Sequence, residues 1–363
     1  KCSMFCEYAM RIPDPNTKQL VNFSLADRPY WYDIYDCGHS RQILKTGRQT
    51  NKSTWLGNKM LFFCCNLPNF HCMFVSPSQT QTRTYVLDRI KTPIEASPIL
   101  NSFTNQQLMD NSLVKQFIND SKITLRYAFL NADRCRGVAG VNLLVIDEIQ
   151  DILQENVGVI EETTFTAGRY KYFLYSGTPK TLDNPIEDYW QRLSTQNEWA
   201  IPCYDISHTW KTATGEVIRC HWNIINSDKH MQIKGLSCDK CHKLINSRDP
   251  RCHWVSLNPG IRKDPKVVYY EGFHIPQVIS PDARWNEILG AYNSQPRATF
   301  YNEKLGLSYD SGEKPLMRAD LISNCAAQLR MDEDFLYDKI WPKIGQGQLP
   351  LFAGIDWSGG SEI

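Results

Sequence analysis

The sequence lacks any run of about 18 apolar residues, so no segment is typical of a membrane-spanning helix. It also lacks a charged, apolar and small-residue leader, which gives no sign of secretion. There is no excess of charge of either sign, because the formal net charge is +1. We therefore expect a soluble intracellular protein, whose contacts with nucleic acid come from local basic patches. Candidates for such a patch are Arg248, Arg251, Arg262, Lys263 and Lys266.

Cysteine is plentiful, but its pattern does not favour a disulfide framework. The chain has 13 cysteines, an odd number, and it is far longer than small disulfide-rich secreted domains. Most of them stand in apolar surroundings, as in Phe62–Cys65, where a buried thiol is inert. We expect reduced thiols, with only the group near Cys238 resembling a site.

The order of apolar and polar segments predicts an α/β fold. Strand-like runs alternate with longer helix-like stretches up to about residue 190, which favours a mostly parallel sheet covered by helices on both faces. The predicted strands in this part are Gln42–Leu44, His71–Val75, Val141–Ile146 and Tyr172–Tyr175. A further strand is expected over Val267–Ile275 and a helix over Pro281–Asn293. The predicted domains are 1–198, a core with its lead-in; 199–260, an inserted module; 261–348, a linker; and 349–363, the start of another domain.

A candidate nucleotide-binding loop follows the first of these strands. It comprises Gly47, Arg48, Gln49, Thr50, Asn51, Lys52, Ser53 and Thr54, and a helix-like stretch begins near Trp55. Phosphates need backbone N–H groups at a helix N-terminus, a lysine for the β- and γ-phosphates, and a hydroxyl for Mg²⁺. Lys52 and Ser53 fit the last two roles. The usual glycines are replaced by Thr46 and Asn51, so an ordinary polar turn is the alternative, although Asn tolerates positive φ.

Two carboxylates follow the predicted strand that ends at Ile146. In P-loop enzymes the first such acid is associated with Mg²⁺ and the second activates water. We assign these roles to Asp147 and Glu148, the latter as general base. A solvated acidic turn is the alternative, but the loop lies upstream in the order that a P-loop enzyme requires.

A third segment, Phe173–Pro179, is an apolar strand that ends in small polar residues. Ser176, Gly177 and Thr178 could sense the γ-phosphate and pass its loss to neighbouring structure. Taken alone, the segment is only a strand end followed by a proline turn.

Together these segments resemble the large terminase family, which packages viral DNA. Its phosphate loop often reads Gly-Arg-Gln-x-Gly-Lys-Ser-Thr, from which Gly47–Thr54 departs only at Asn51, and its coupling motif reads Ser-Gly-Thr. Further similar segments are Phe74–Gln81, Glu271–His274, Ser280–Pro281, Trp285 and Phe300–Gly306. The resemblance covers roughly residues 28–356 and implies an ATPase, a linker and an RNase H-like nuclease.

The resemblance also implies roles and partners that the residues alone do not. Arg48 is expected to act as a catalytic γ-phosphate sensor within the chain. The expected partners are double-stranded DNA, a small terminase subunit, a portal protein and further copies in a ring on the capsid. The setting would be the cytoplasm of a cell infected by a bacteriophage. Phe352–Trp357 is similar to the first nuclease strand, so Asp356 would be a metal-binding carboxylate. With one such acid, we expect no DNA cleavage by this chain.

A zinc site is predicted in the inserted module. Cys238 and Cys241 have the Cys-x-x-Cys spacing of half a tetrahedral site, and a second pair must complete it. We choose Cys203 and His208, because Trp199–Cys203 also resembles the first knuckle of the family's zinc insertion. The remaining substitutes are Cys220–His221 and Cys252–His253. The role of the zinc would be to fold a module too small for its own core.

Two other functions compete with a packaging ATPase. A helicase or remodeller shares the loop and the Asp-Glu pair but usually needs a second motor-like domain, for which this chain offers no room. A DNA-binding scaffold with an inactive nucleotide site is suggested by Thr46 and Asn51. The presence of Lys52, Ser53, Asp147 and Glu148 argues against that scaffold.

Overall fold

The apolar runs become neighbouring strands of one sheet in the computed structural model, which describes residues 1–14, 17, 19–104, 113–211 and 217–309. Numbered along the chain, the strands are β1 (Arg11–Pro13), β2 (Leu20–Asn22), β3 (Arg41–Thr46), β4 (His71–Ser76), β5 (Val114–Gln116), β6 (Lys122–Tyr127), β7 (Leu143–Asp147), β8 (Tyr172–Gly177), β9 (Asn197–Cys203), β10 (Thr209–Lys211), β11 (Val217–Arg219), β12 (His221–Asn223), β13 (Met231–Gln232), β14 (Gly235–Leu236), β15 (His253–Ser256) and β16 (Glu271–Ile275).

Ten of these strands form the central sheet. Its order is β12-β9-β16-β3-β8-β7-β4-β6-β5, and β15 pairs with β9 outside that path. The strands from β9 through β16, β3, β8, β7 and β4 to β6 run parallel, whereas β5, β12 and β15 pair antiparallel. The predicted fold class, α/β with a mostly parallel central sheet, is confirmed.

Helices cover the sheet. Their bounds are Cys2–Ala9, Tyr30–Asp36, Lys52–Asn66, Gln79–Tyr85, Thr92–Ala96, Pro98–Asn101, Gln154–Glu161, Pro185–Leu193, Trp285–Ser294 and Arg297–Phe300, with π-helical turns at Val86–Lys91 and Tyr301–Leu305. Local sequence explains where several of them begin. Asn184, for example, accepts a hydrogen bond from the N–H of Glu187, and Pro185 follows it at the first helical position. Among the described residues, no helix is both long and apolar enough to cross a membrane.

The side chains along each strand point alternately to the two faces of the sheet, which divides the core into two layers. Leu44, Phe74 and Val145 belong to the cluster on one face of the sheet, whereas Ile43 and Ile146 belong to the cluster on the other. Successive side chains of a strand point to opposite faces, so burial on both faces requires the near-continuous apolar runs seen in the sequence. The carboxyl ends of β3, β7 and β8 consequently meet at one fixed edge.

Strands from three predicted segments share this sheet. β9 crosses the predicted boundary between the core and the insertion, and β15 comes from the predicted insertion. β16 comes from the predicted linker and lies between β9 and β3. The expected strand over Val267–Ile275 begins later, at Glu271, because a turn closed by the hydrogen bond from the N–H of Val267 to the carbonyl of Asp264 precedes it. The functional division into domains stays a prediction. The segment 349–363, with Asp356, lies outside the described residues.

Candidate nucleotide and metal sites

The candidate nucleotide-binding loop connects β3 to helix Lys52–Asn66, so it lies between a strand and a helix as the sequence predicted. Asn51 precedes the helix with φ 70° and ψ 19°, a left-handed conformation that Asn tolerates better than most residues. Gln49 also has a positive φ, of 56°. These two reversals turn the backbone into the helix, whose first N–H groups have no intrahelical acceptor. A helix N-terminus of this kind attracts an anion, as a phosphate cradle requires.

Residues from a much later part of the chain support the loop through backbone contacts. The N–H of Gly47 donates to the carbonyl of Ile275 at 2.9 Å, and the N–H of Arg48 donates to the carbonyl of Glu303 at 2.7 Å. A Cβ at position 47 would lie 2.9 Å from the Glu303 carbonyl oxygen and 2.9 Å from the Gln277 nitrogen, so only glycine fits. Gly306, with φ 68°, passes against the same backbone. No local pattern predicted this support, because its residues are more than 200 positions away.

Asp147 and Ser53 form the candidate magnesium site. Asp147 Oδ2 accepts a hydrogen bond from Ser53 Oγ at 2.8 Å, and Asp147 Oδ1 accepts one from Ser176 Oγ at 2.6 Å. The second contact follows from register, because Asp147 of β7 lies directly beside Ser176 of β8. Burial raises the pKa of Asp147, and the neighbouring Glu148 adds to this. Oxygen ligands beside a phosphate loop suit Mg²⁺, whose charge would favour the ionised carboxylate.

Glu148 is held by one cation and one amide. Its Oε1 lies 2.7 Å from Lys52 Nζ, and its Oε2 accepts a hydrogen bond from Gln150 Nε2 at 2.6 Å. Lys52 Nζ also donates to Thr178 Oγ1 at 3.2 Å. Burial disfavours the ionised carboxylate, but the charge and hydrogen bond of Lys52, with the bond from Gln150, outweigh it and lower the pKa of Glu148. The carboxylate is therefore ionised at neutral pH, as a general base must be.

The structure brings together residues of all three predicted segments. Lys52 and Ser53 from the loop, Asp147 and Glu148 from the end of β7, and Ser176 and Thr178 from the coupling segment are joined by the hydrogen bonds given above. Arg48 stands apart from this group, with a side chain that is 65% exposed and paired with Glu303 Oε1 at 3.1 Å. Its charge still contributes to the lowered pKa of Glu148.

Two cavities flank the loop. One, of about 310 Å³, lies beside Ser53, Asp147 and Glu148 and extends between helix Gln79–Tyr85 and β4. The other, of about 170 Å³, lies beside Asn51 and Thr54 and is lined by Leu25, Arg28 and Trp31. The indole Nε1 of Trp31 is buried there without a hydrogen-bond partner among the described residues.

The four predicted zinc ligands converge in the structure. One ligand atom from each of Cys203, His208, Cys238 and Cys241 lies within 4.8 Å of the others. Cys203 Sγ is 3.6 Å from Cys241 Sγ, and Cys238 Sγ is 3.4 Å from His208 Nε2. Tetrahedral ligands at about 2.3 Å from zinc would be separated by roughly 3.7 Å, so the set fits this ion. Burial raises the pKa of Cys203 to about 12, so this thiol needs a cation to ionise at neutral pH.

Of the substitute ligand pairs, only His221 belongs to a group of potential metal ligands among the described residues. Cys252 Sγ donates to the carbonyl of Asn246 at 3.6 Å, and Cys220 is absent from both groups of potential metal ligands found among the described residues. His221 Nε2 contacts Asp239 Oδ1 at 2.7 Å, in a second group that shares Cys238. The group with three thiols and one imidazole is the complete tetrahedral set. The long gap between Cys203 and His208 is spanned by the turn Ile206–His208.

The predicted basic patch is partly neutralised by neighbouring acids. Arg251 pairs with Asp249 at 2.8 Å, and Arg262 pairs with Glu271 at 2.8 Å. The guanidinium of Arg251 also stacks over the ring of Tyr204. These two arginines are thus held in structural contacts, which reduces the positive field that the sequence suggested.

Comparison with known proteins identifies a family for the chain. A family profile described as the ATPase domain of the phage terminase large subunit gpA matches residues 17–254. No curated protein is a significant match. Among solved structures, the large terminase ATPase domain of Thermus phage P74-26 is 16% identical, with 76% of this chain and 91% of that chain covered and a TM-score of 0.46.

Two longer phage proteins are also similar. The large terminase of bacteriophage HK97 is 13% identical, with 52% of this chain and 39% of that chain covered and a TM-score of 0.42. The large terminase of a thermophilic bacteriophage, in complex with ADP, is 9% identical, with 44% of this chain and 38% of that chain covered and a TM-score of 0.33. The profile match spans more than half of the chain and includes the nucleotide loop, the acidic pair and the coupling segment. The chain therefore belongs to the phage terminase large subunit family, as a member with its ATPase domain.

Proposed function

We propose that this chain binds and hydrolyses Mg-ATP and uses the energy to move double-stranded DNA. The observation that carries the proposal is the hydrogen-bonded group of Lys52, Ser53, Asp147, Glu148 and Thr178 at the ends of three neighbouring strands. These residues supply a cation for phosphate, oxygen ligands, an ionised base and a polar sensor at one place. A P-loop ATPase requires each of them.

Within the loop Gly47–Thr54, the backbone N–H groups from Gln49 onward and the positive end of helix Lys52–Asn66 would hold the phosphates, because those of Gly47 and Arg48 donate to carbonyls. Lys52 would leave Glu148 and reach the β- and γ-phosphates, since it is a flexible point charge on a long stem. The cavity beside Asn51 and Thr54 is our proposed place for the nucleoside.

Glu148 would take a proton from the attacking water, for which its lowered pKa keeps it ionised. Ser53 and Asp147 would hold Mg²⁺, directly or through water. The ion, when bound, neutralises charge that develops on the phosphate oxygens. Arg48 would add a second cation once it leaves Glu303, because its guanidinium is close enough to act on Glu148.

Thr178 would couple ATP hydrolysis to the movement of DNA. Lys52 donates hydrogen bonds to both Thr178 and Glu148. The positions of these three side chains therefore depend on whether Lys52 contacts a phosphate. Loss of the γ-phosphate would return Lys52 to the contacts seen here. The segment Ser176–Thr178 would then shift with it, at the end of a central strand.

We also propose that Cys203, His208, Cys238 and Cys241 bind one structural zinc ion. Three thiolates and one imidazole form a closed tetrahedral set of the structural kind, which leaves no open position for a substrate. The surrounding strands β10, β11, β13 and β14 are only two or three residues long. A bound metal would therefore supply much of the free energy that folds this part of the chain.

Protein purified without chelator is expected to contain one zinc ion per chain, as measured by atomic emission. Cys238→Ser should lose the zinc and lower the melting temperature, because it removes a ligand from a site coupled to folding. The matched control is Cys252→Ser, whose thiol donates to the carbonyl of Asn246 and belongs to neither group of potential metal ligands among the described residues, and which should keep the metal. Zinc-free protein, or equal zinc in both variants, would contradict the assignment.

The remaining proposals rest on the resemblance. We propose that the complete assembly acts in the host cytoplasm with a small terminase subunit and a portal protein, as a ring of copies. A nuclease activity, with Asp356 as one metal ligand, is proposed for the complete protein.

The test of the proposed function is phosphate release from ATP with and without DNA. The purified chain should release phosphate slowly alone, because a ring subunit lacks its neighbours, and faster with linear double-stranded DNA. Equal stimulation by single-stranded DNA together with separation of a forked duplex would indicate the helicase alternative. DNA binding without any phosphate release would indicate the inactive scaffold.

A further inference from the structure

Gln150 occupies a position between the catalytic acid and the coupling segment. It belongs to the turn Ile149–Asp151, which follows Glu148 directly. Glu148 has φ 56° and ψ 48°, a left-handed conformation that is uncommon for a glutamate. This reversal allows the side chain of Gln150 to return toward the carboxylate that precedes it by two residues.

One end of the Gln150 amide holds Glu148. Nε2 donates to Glu148 Oε2 at 2.6 Å and lies 3.4 Å from Asp151 Oδ2. The amide orientation is fixed by chemistry, since a flipped amide would present its oxygen to two carboxylates. With Lys52 on the other oxygen, both oxygens of the Glu148 carboxylate have a donor. The direction in which Glu148 points therefore depends on Gln150 as well as on Lys52.

The other end of the amide lies against Gly177. Gln150 Oε1 is buried and has no hydrogen-bond partner among the described residues. It occupies the space that a Cβ on Gly177 would need, so any side chain at position 177 would displace it. Gly177 is the middle residue of the coupling segment. A shift of that segment toward the amide would consequently move Gln150.

A second contact ties the same turn to the same segment. Asp151 forms an ion pair with Lys180, which follows the coupling segment by two residues. The turn that carries Gln150 is therefore linked to the end of β8 by an ion pair and by close packing. Both links therefore join the turn that follows β7 and Glu148 to the coupling segment at the end of β8.

We propose that Gln150 is a positioning residue that aims the Glu148 carboxylate according to the position of Gly177. In this arrangement, movement of the coupling segment changes the direction of the base through the amide of Gln150. The proposal deepens the assigned ATPase site and rests on that proposed function. It adds a path between nucleotide chemistry and the coupling segment that does not pass through Lys52.

Three variants test this path by steady-state phosphate release and by binding of a non-hydrolysable ATP analogue. Gln150→Ala should lower kcat by about 10²-fold, because a misplaced base loses much of its rate. KM and the Kd of the analogue should stay within about twofold, since Gln150 does not contact the phosphate loop. Gly177→Ala should lower kcat in the same way by displacing the amide.

The double variant Gln150→Ala/Gly177→Ala distinguishes an effect of Gly177 that acts through Gln150 from an independent structural effect of the new side chain. If Gly177 acts through Gln150, the double variant should be no slower than the slower single variant. The new Cβ also lies 3.0 Å from Ile186 Cδ1, so additive losses would assign the effect to that contact and overturn the proposal. An unchanged kcat in either single variant would also overturn it.

Gln154→Ala is the matched control, because that amide is exposed on the following helix, and kcat should not change. Absence of phosphate release by the unmodified chain would instead contradict the proposed function. The two failures are therefore distinguishable.

Discussion

Replacing Lys52 by alanine is expected to weaken binding of Mg-ATP by at least about 100-fold. The ammonium is the only side-chain cation bonded to Glu148 and Thr178 among the described residues, and it is the group that would reach two phosphates. Loss of charge-assisted hydrogen bonds to both should cost about 3 kcal/mol or more. The measurement is a titration with a fluorescent ATP analogue in the presence of Mg²⁺.

Lys122→Ala is a suitable control for this variant. Lys122 begins β6, is exposed, and lies away from the loop in sequence and in the sheet. The control should bind the analogue like the unmodified chain. If Lys52→Ala also binds normally, Gly47–Thr54 is not the phosphate loop, and the resemblance of the motif has misled the assignment.

The second large effect is expected from Glu148→Gln. This change keeps the size of the side chain but removes the carboxylate that we propose accepts a proton from water. We expect the analogue to bind with an affinity close to that of the unmodified chain, whereas kcat should fall by about 10² to 10⁴-fold. Phosphate release in a single turnover measures the chemical step separately from product release.

Glu155→Gln provides the comparison for this substitution. Glu155 is exposed in the first turn of helix Gln154–Glu161 and should tolerate the change without loss of rate. Hydrolysis by Glu148→Gln at the rate of the unmodified chain would show that another group takes the proton. Asp147 would be a poor substitute, because both of its oxygens already accept hydrogen bonds.

Sequence patterns were informative where the chemistry is local. The continuous apolar runs predicted the buried parallel strands, because a strand covered on both faces has no polar face. Parallel strand ends meet at one edge, but the sequence did not predict the strand order, so the contact between Asp147 and Ser176 followed only from the pairing of β7 with β8. The loop was recognisable despite Asn51, which supplies the left-handed conformation that glycine usually provides.

The sequence could not reveal contacts that depend on distant parts of the chain. The carbonyls of Ile275 and Glu303 support Gly47 and Arg48, but a carbonyl has no residue-specific signature. The pairing of Arg48 with Glu303 depends on how the turn Tyr301–Leu305 packs below the loop. Gln150 adjoins the acidic pair in sequence, yet its role depends on the space left by Gly177 on another strand.

The proposed zinc ligands illustrate an intermediate case. The Cys-x-x-Cys spacing predicted one half of the site, because both ligands lie in one turn. Several pairs could have formed the other half, and spacing alone did not separate them. Antiparallel pairing of β12 with β9 brings His221 opposite Cys203, whereas the turn Ile206–His208 carries His208 to Cys238.

The most direct measurement is a crystal structure of the chain with Mg²⁺ and a non-hydrolysable ATP analogue. We expect the triphosphate on the loop Gly47–Thr54, the metal near Ser53 and Asp147, and Lys52 Nζ on phosphate rather than on Glu148. A nucleotide bound elsewhere, with the contact between Lys52 and Glu148 still at 2.7 Å, would contradict the account.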